Sequence, residues 1–193
     1  MIEYINGKLT FKSPTYVVIE CAGVGYHIHV SLHTFSKLSN NEACKLLVHQ
    51  IIREDAHLLY GFTDNDERNL FRQLLSVSGV GASTAQLILS SLNPGDTRKA
   101  IMHEDVNLLK AVKGIGAKTA QRIILDLKDK ISKEIPDAQI SVISHNTARS
   151  EALSALIALG FDHASSSKVL DKILSVDSEQ GVEALIKAAL KSM

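Results

Sequence analysis

The chain has 193 residues, 45% of them hydrophobic, and its 21 basic and 21 acidic side chains cancel to a formal net charge of zero. That composition builds ordinary cores in one to three domains, while runs such as Leu46-Leu47-Val48 and Ile123-Ile124-Leu125 fall far short of the roughly 18 apolar residues a bilayer span needs. The start, Met1-Ile2-Glu3-Tyr4-Ile5-Asn6-Gly7, has no secretory pattern, so a cytoplasmic location is expected; Cys21 and Cys44 fit neither a metal spacing nor a disulfide framework.

Up to about Phe62 the chain alternates short β-rich runs with turn signals: Tyr16 to Cys21, Tyr26 to Val30, Lys45 to Ile52 and His57 to Phe62. Asn6-Gly7 reads as a tight hairpin turn, and Gly23 and Gly25 flank a second. With one brief helical insert near Leu32 to Leu38, five or so strands suit a compact OB-type barrel over 1–62. Arg53-Glu54-Asp55-Ala56 lies between two apolar β runs and should project as an acidic turn. His27 and His29 share one side of a strand, but a third metal ligand is missing from the pattern.

From Thr63 the period becomes helical, with Leu70, Phe71, Leu74 and Leu75 on one face, Thr63, Asp64 and Asp66 available as caps, and Glu67 placed for a capping box. Helical signals continue to about Ile131. Over 132–146 neither period fits and Pro136 blocks a helix, which predicts a flexible linker. Three short amphipathic helices are expected beyond it, over 147–159, 163–174 and 178–191, ending in a mini-domain over 147–193.

The strongest signal is a repeat at an offset of 35 residues: Val77-Ser-Gly79-Val80-Gly81-Ala82-Ser83-Thr84-Ala85-Gln86-Leu-Ile88 against Val112-Lys-Gly114-Ile115-Gly116-Ala117-Lys118-Thr119-Ala120-Gln121-Arg122-Ile123, identical at eight of twelve positions. Each copy ends one helix, turns on Gly-aliphatic-Gly, and starts another: the helix-hairpin-helix pattern. Glycine accepts positive φ and lets the backbone come close to a ligand, while Val80 or Ile115 anchors the turn. The unpaired N–H groups and positive dipole end of the next helix then make a phosphate site. The candidate DNA-binding residues are therefore Gly79, Gly81, Ser83 and Thr84 at the first tip, and Gly114, Gly116, Lys118, Thr119 and Arg122 at the second. Phosphate contacts carry no base information, so the grip should be sequence-independent.

Between Val106 and Leu125 stand Lys110, Lys113, Lys118 and Arg122 and no acid, so charge placement supports nucleic acid where the zero total does not. The first tip, with only Ser83 and Thr84, should be the weaker of the two. Gly114-Ile-Gly116-Ala-Lys118-Thr119 is not a nucleotide P-loop, because Ala117 stands where the loop needs glycine. No cofactor, metal or catalytic constellation is expected, and the enzyme alternative, a helix-hairpin-helix DNA glycosylase, lacks a larger helical body with a base-flipping pocket. A general duplex-DNA scaffold is the other alternative; the acidic turn has no purpose in it.

Together, the barrel opening Met-Ile-x-Tyr-Ile-x-Gly, the block Arg53-Glu54-Asp55-Ala56-His-Leu-Leu-Tyr60-Gly61-Phe62, the tandem Val-x-Gly-aliphatic-Gly motifs, the linker and the terminal helices resemble the RuvA family along the whole chain. The resemblance implies an α+β multidomain fold: an OB barrel over 1–62, a tandem helix-hairpin-helix domain over 63–131, a linker, and a UBA-like three-helix domain. It implies a non-catalytic homotetramer, single or doubled face to face, that holds a four-way DNA junction open, with Glu54 and Asp55 as an acidic pin at the crossover. It further implies docking of the terminal helices on the hexameric ATPase RuvB, for which Leu170, Ile173 and Leu190 are the candidate contacts, and association with the resolvase RuvC. One departure is Ala82-Ser83, where relatives often carry a Pro-Lys type pair.

Overall fold

The computed structural model describes residues 1–39, 43–134, 145–175 and 180–192. It divides into two compact units, Met1–Pro136 and Asp137–Met193.

The first unit opens with β1 (Tyr4–Lys12), β2 (Tyr16–Cys21), β3 (Val24–Val30), β4 (Ala43–Ile52) and β5 (His57–Phe62), with helix α1 (Leu32–Lys37) between β3 and β4. The strands close into a barrel in the order β1-β2-β3-β5-β4, antiparallel except for β3 against β5. Alternation fills its interior: Ile5, Val17, Ile19, Ile28, Val30, Leu46 and Val48 are buried, their neighbours face outward, and each burial contributes about 1.5–3 kcal/mol.

Two local turn expectations need correction. Asn6-Gly7 is not a hairpin; both lie inside β1, where Gly7 pairs with Cys44. A Cβ at Gly7 would collide with the Glu20 carbonyl oxygen of β2, so the glycine serves close strand approach. The β2–β3 hairpin turns on Ala22 and Gly23, at φ 49° and 84°, the paired positive values of a two-residue turn; Gly25 already pairs with Glu20.

Five helices follow: α2 (Asn65–Leu75), α3 (Ala82–Ser91), α4 (Pro94–Met102), α5 (Val106–Lys110) and α6 (Ala117–Glu134). Their core contains Leu70, Phe71, Leu74, Ile88, Leu89, Ile101, Leu109, Ile123 and Leu127, and Tyr60 and Phe62 of β5 join it. On α6, Ala120, Ile123, Ile124, Leu127 and Ile131 form one buried stripe at helical spacing.

The barrel and the helices are also joined through a buried polar contact. The N-cap of α2 is Asp64, whose side chain accepts from Glu67 N–H. The Glu67 carboxylate does not complete a capping box; it is fully buried and accepts from Ser31 Oγ, and from Thr34 Oγ1 at 2.6 Å. Beside it, Arg68 pairs with Glu3 of the chain's first residues at 2.5 Å.

The second unit holds α7 (His145–Ala158), α8 (His163–Leu174) and α9 (Val182–Ser192) around Ala152, Leu156, Leu170, Leu185 and Ala189. Gly160, at φ 96°, reverses the chain after α7 while Phe161 N–H returns to Leu156 O at 3.1 Å. Asp162 caps α8. Most of the linker expected over 132–146 lies outside the described residues; its first three and last two positions belong to α6 and α7. The start expected for the last helix at Ser178 lies outside them too.

Candidate nucleic-acid interface

Each copy of the repeat folds into the same turn, bond for bond. In the first, Val77 N–H reaches Leu74 O at 3.1 Å, Val80 N–H reaches Val77 O at 3.0 Å, and Ala85 N–H reaches Gly81 O at 2.9 Å; in the second, Val112 reaches Leu109 O at 3.2 Å, Ile115 reaches Val112 O at 3.1 Å, and Ala120 reaches Gly116 O at 3.0 Å. Gly79 and Gly114 take φ of 90° and 87°, the left-handed region in which other residues are strained. Val80 and Ile115 are buried at 6% and 5% exposure, so the anchors sit in the shared helical core as their sequence position demands.

The second glycine of each tip behaves differently. Gly81 is extended, at φ −88° and ψ 172°, and Gly116 is not left-handed either; a Cβ on each would meet nothing within 4 Å. Neither conformation nor packing inside the chain requires glycine there. What its absence of a side chain provides is backbone open to the outside, at the position that starts a helix.

Those helix starts are also unusually bare. Ser31, Asp64, Asn93, Asp105 and Asp162 each cap their helix by accepting from an N–H in its first turn. Helix α3 begins at Gly81 with no side-chain cap, and Gly116, the residue before α6, has no side chain to offer. The first N–H groups of α3 therefore keep their donor capacity and the positive end of the dipole. Ser83, Lys118 and Arg122 are exposed around the tips, and Thr84 and Thr119 half-buried. Lys110 and Lys113 are exposed on the approach to the second tip.

Arg122 departs from expectation. Its guanidinium donates to the Ser78 carbonyl and to Ser78 Oγ, both at 3.2 Å, so it lies against the first tip and lends that tip a cation its own sequence lacks. Gln86, at the matching repeat position to Gln121, donates to Val30 O at 2.6 Å and Thr15 O at 3.3 Å, and Ser90 Oγ accepts from Leu32 N–H at 3.1 Å. These contacts orient α3, and with it the first tip, on the barrel. Their signal in the sequence was hidden, because in a repeat Gln86 and Arg122 read as parts of the motif rather than as its fastenings.

Glu54 and Asp55 stand exposed at the β4–β5 tip, closed by Arg53 N–H to Ala56 O at 2.8 Å. His27 and His29 are engaged in ring contacts, and among the described residues no three His, Cys, Asp or Glu side chains are grouped to hold a metal. None of the described helices is long and apolar enough to cross a membrane. In the second unit Leu170 is fully buried and Ile173 packs partly against the core, so Leu170 has no surface for a partner; Leu190 is 42% exposed, and Ile157, Leu159 and Phe161 are exposed as well.

A closed five-stranded barrel carrying two matched hairpin tips defines a tandem helix-hairpin-helix protein, and comparison with known families agrees. Residues 1–61 match the RuvA N terminal domain, 71–129 the SAM-like helix-hairpin-helix tandem, and 147–193 the RuvA C-terminal domain. The chain belongs to the RuvA family. Proteins named Holliday junction branch migration complex subunit RuvA from Christiangramia forsetii and Flavobacterium psychrophilum are 53% and 49% identical to it over 193 residues, covering all of both chains. The protein of that name from Cytophaga hutchinsonii is 51% identical over 197 residues, 99% of each chain.

Proposed function

We propose that this chain is the DNA-binding subunit of a branch migration complex, gripping the arms of a four-way junction through the backbone of its two hairpin tips. The observation that carries the reading is the pair Gly81 and Gly116: glycine where the fold has no use for it, each just before a helix, with no side chain capping the helix that Gly81 starts. Phosphate oxygens are the ligands such groups suit, with Lys118, Thr119, Ser83, Thr84 and Arg122 adding side-chain contacts. Glu54 and Asp55 act as a pin that repels phosphates at the crossover, which separates this reading from a general duplex scaffold. The subunit works without catalysis of its own, as a homotetramer, single or doubled, in recombination and repair.

The motor is RuvB, docked on the second unit, and RuvC acts on the same junction. Leu190, with Leu159 and Phe161, is the better candidate for the RuvB contact than Leu170, because only exposed apolar side chains can be covered by a partner. The barrel and hairpin domains act as one body that presents the tips, and the terminal three helices as a separate docking module. The reading is tested by anisotropy titrations of two immobile junctions with unrelated arm sequences. Affinities should agree within a few-fold and fall steeply with salt; strong sequence preference or a flat salt response contradicts a phosphate grip.

A further inference from the structure

The outer face of β1–β3 carries a run of rings that the hairpin tips do not use. The β1–β2 register shifts between Leu9 and Phe11, which sets Phe11 opposite Val18; Val18 in turn pairs with His27, and Tyr16 with His29. Phe11 and Tyr16 stack at 5.1 Å between centroids and 20° between planes, Tyr16 and His27 at 4.3 Å and 12°, and His29 meets His27 edge-on at 4.9 Å. Neither Phe11 nor Tyr16 belongs to the barrel core or the helical core, and Phe11, the end of the stack, is 47% exposed.

We propose that this face is a stacking platform for the unpaired bases of single-stranded nucleic acid, entered at the open side of Phe11. Three observations choose that occupant. The Phe11, Tyr16 and His27 rings are nearly parallel, the arrangement a base extends by stacking, and every base offers a π-face, so the site tolerates any sequence. The platform runs from Phe11 on β1 across Tyr16 on β2 to His27 on β3 beside the β1–β2 loop, and so reaches the strand-two and strand-three face through which barrels of this kind take oligonucleotides. That loop also borders a cavity of about 320 Å³ whose walls include Pro14, Thr15 and His29 from the barrel and Ser83 and Leu87 from α3, so the His29 end of the run borders the start of the first hairpin's helix. Burial and the neighbouring His27 hold the His29 imidazole below its usual range, favouring the neutral ring. The inference goes beyond the proposed junction grip, since it assigns unpaired bases to the barrel and paired arms to the tips.

The test uses the full chain and a fluorescein-labelled oligothymidylate of about ten nucleotides, a length that fits one barrel of this size. Phe11→Ala and Tyr16→Ala should each weaken it roughly ten-fold or more, while Phe11→Trp retains binding and junction affinity stays unchanged in all three. Gly116→Ala should do the reverse, weakening the junction and leaving oligothymidylate untouched, so failure of the platform and failure of the junction grip give different results. Melting temperatures should stay near that of the unsubstituted chain because both rings lie outside the cores. Undetectable oligothymidylate binding, or equal binding by Phe11→Ala and the unsubstituted chain, overturns the proposal. So does a drop in oligomer mass on light scattering for Phe11→Ala, which would make the face a contact between copies.

Discussion

Adding one methyl group at Gly81 or Gly116 should separate folding from function. Gly81 holds φ −88° and ψ 172°, backbone that alanine adopts freely, and its Cβ would have open space to 4 Å, as would that of Gly116. In the folded chain two small effects oppose each other. Restricting the unfolded backbone stabilises by about 0.4–1 kcal/mol, and alanine at a helix cap costs about 0.5–1 kcal/mol relative to glycine. Stability should thus move by less than about 1 kcal/mol. Binding should change far more, because a phosphate oxygen must come within about 2.9 Å of the tip's N–H groups and the new methyl stands in that approach. Losing one hydrogen bond to a charged group is worth about 1.5–3 kcal/mol, a ten- to hundred-fold loss of junction affinity. Gly79→Ala and Gly114→Ala should behave differently: at φ 90° and 87° each strains the turn by about 1–2 kcal/mol and lowers the melting temperature. Anisotropy titration of a labelled four-way junction, run beside calorimetric melting, reads both quantities. A Gly116→Ala chain that binds the junction as tightly as the unsubstituted one would refute the backbone grip.

Glu67→Ala should strip two buried hydroxyls, Ser31 and Thr34, of their acceptor and cost about 2–5 kcal/mol, read by urea unfolding; a loss below 1 kcal/mol contradicts the joint between barrel and helices. Burial raises the Glu67 carboxyl above its ordinary range, the two hydroxyls opposing the shift. Its contribution is therefore complete below the unfolded value of about 4.3 and is lost as pH rises through the folded value. The unsubstituted chain should gain stability on Glu67→Gln as pH falls from neutral toward that value, and a gap that is constant or moves the other way contradicts it. Ile115→Ala removes the anchor of the second tip, 5% exposed, and should cost about 2–4 kcal/mol together with junction affinity; a melting curve like that of the unsubstituted chain would show that the anchor is dispensable. Glu54→Gln with Asp55→Asn, on an exposed turn, should leave melting unchanged and raise affinity for linear duplex several-fold by removing repulsion; unchanged duplex affinity counts against the pin.

What was legible in the sequence was whatever depends on short-range pattern. Short β-rich runs between turn signals mark the strands, helical spacing marks Leu70, Phe71 and Leu74, and identity between Val77–Ile88 and Val112–Ile123 marks both tips. The failures came where distant chain segments decide. Asn6-Gly7 has the local chemistry of a turn, but the approach of Glu20 in β2 claims Gly7 for a strand interior. Glu67 has capping-box spacing, yet Ser31 and Thr34, more than 30 residues earlier, supply its partners. The same limit hid Arg122 against Ser78 and put Leu170 in the mini-domain core rather than on its surface, since periodicity identifies an apolar face without saying what covers it. The two glycines of each tip read alike in the sequence; only dihedrals and surroundings separate the one that makes the turn from the one that opens it outward.

Junction recognition through the tips and the acidic turn requires that a four-way junction outcompete its own arms. It is tested most directly by binding the full chain to a labelled immobile four-way junction and adding excess linear duplex of the same arm sequence at constant salt. The junction complex should persist through the excess; displacement by duplex in proportion to its concentration would reduce the tips to general DNA grips.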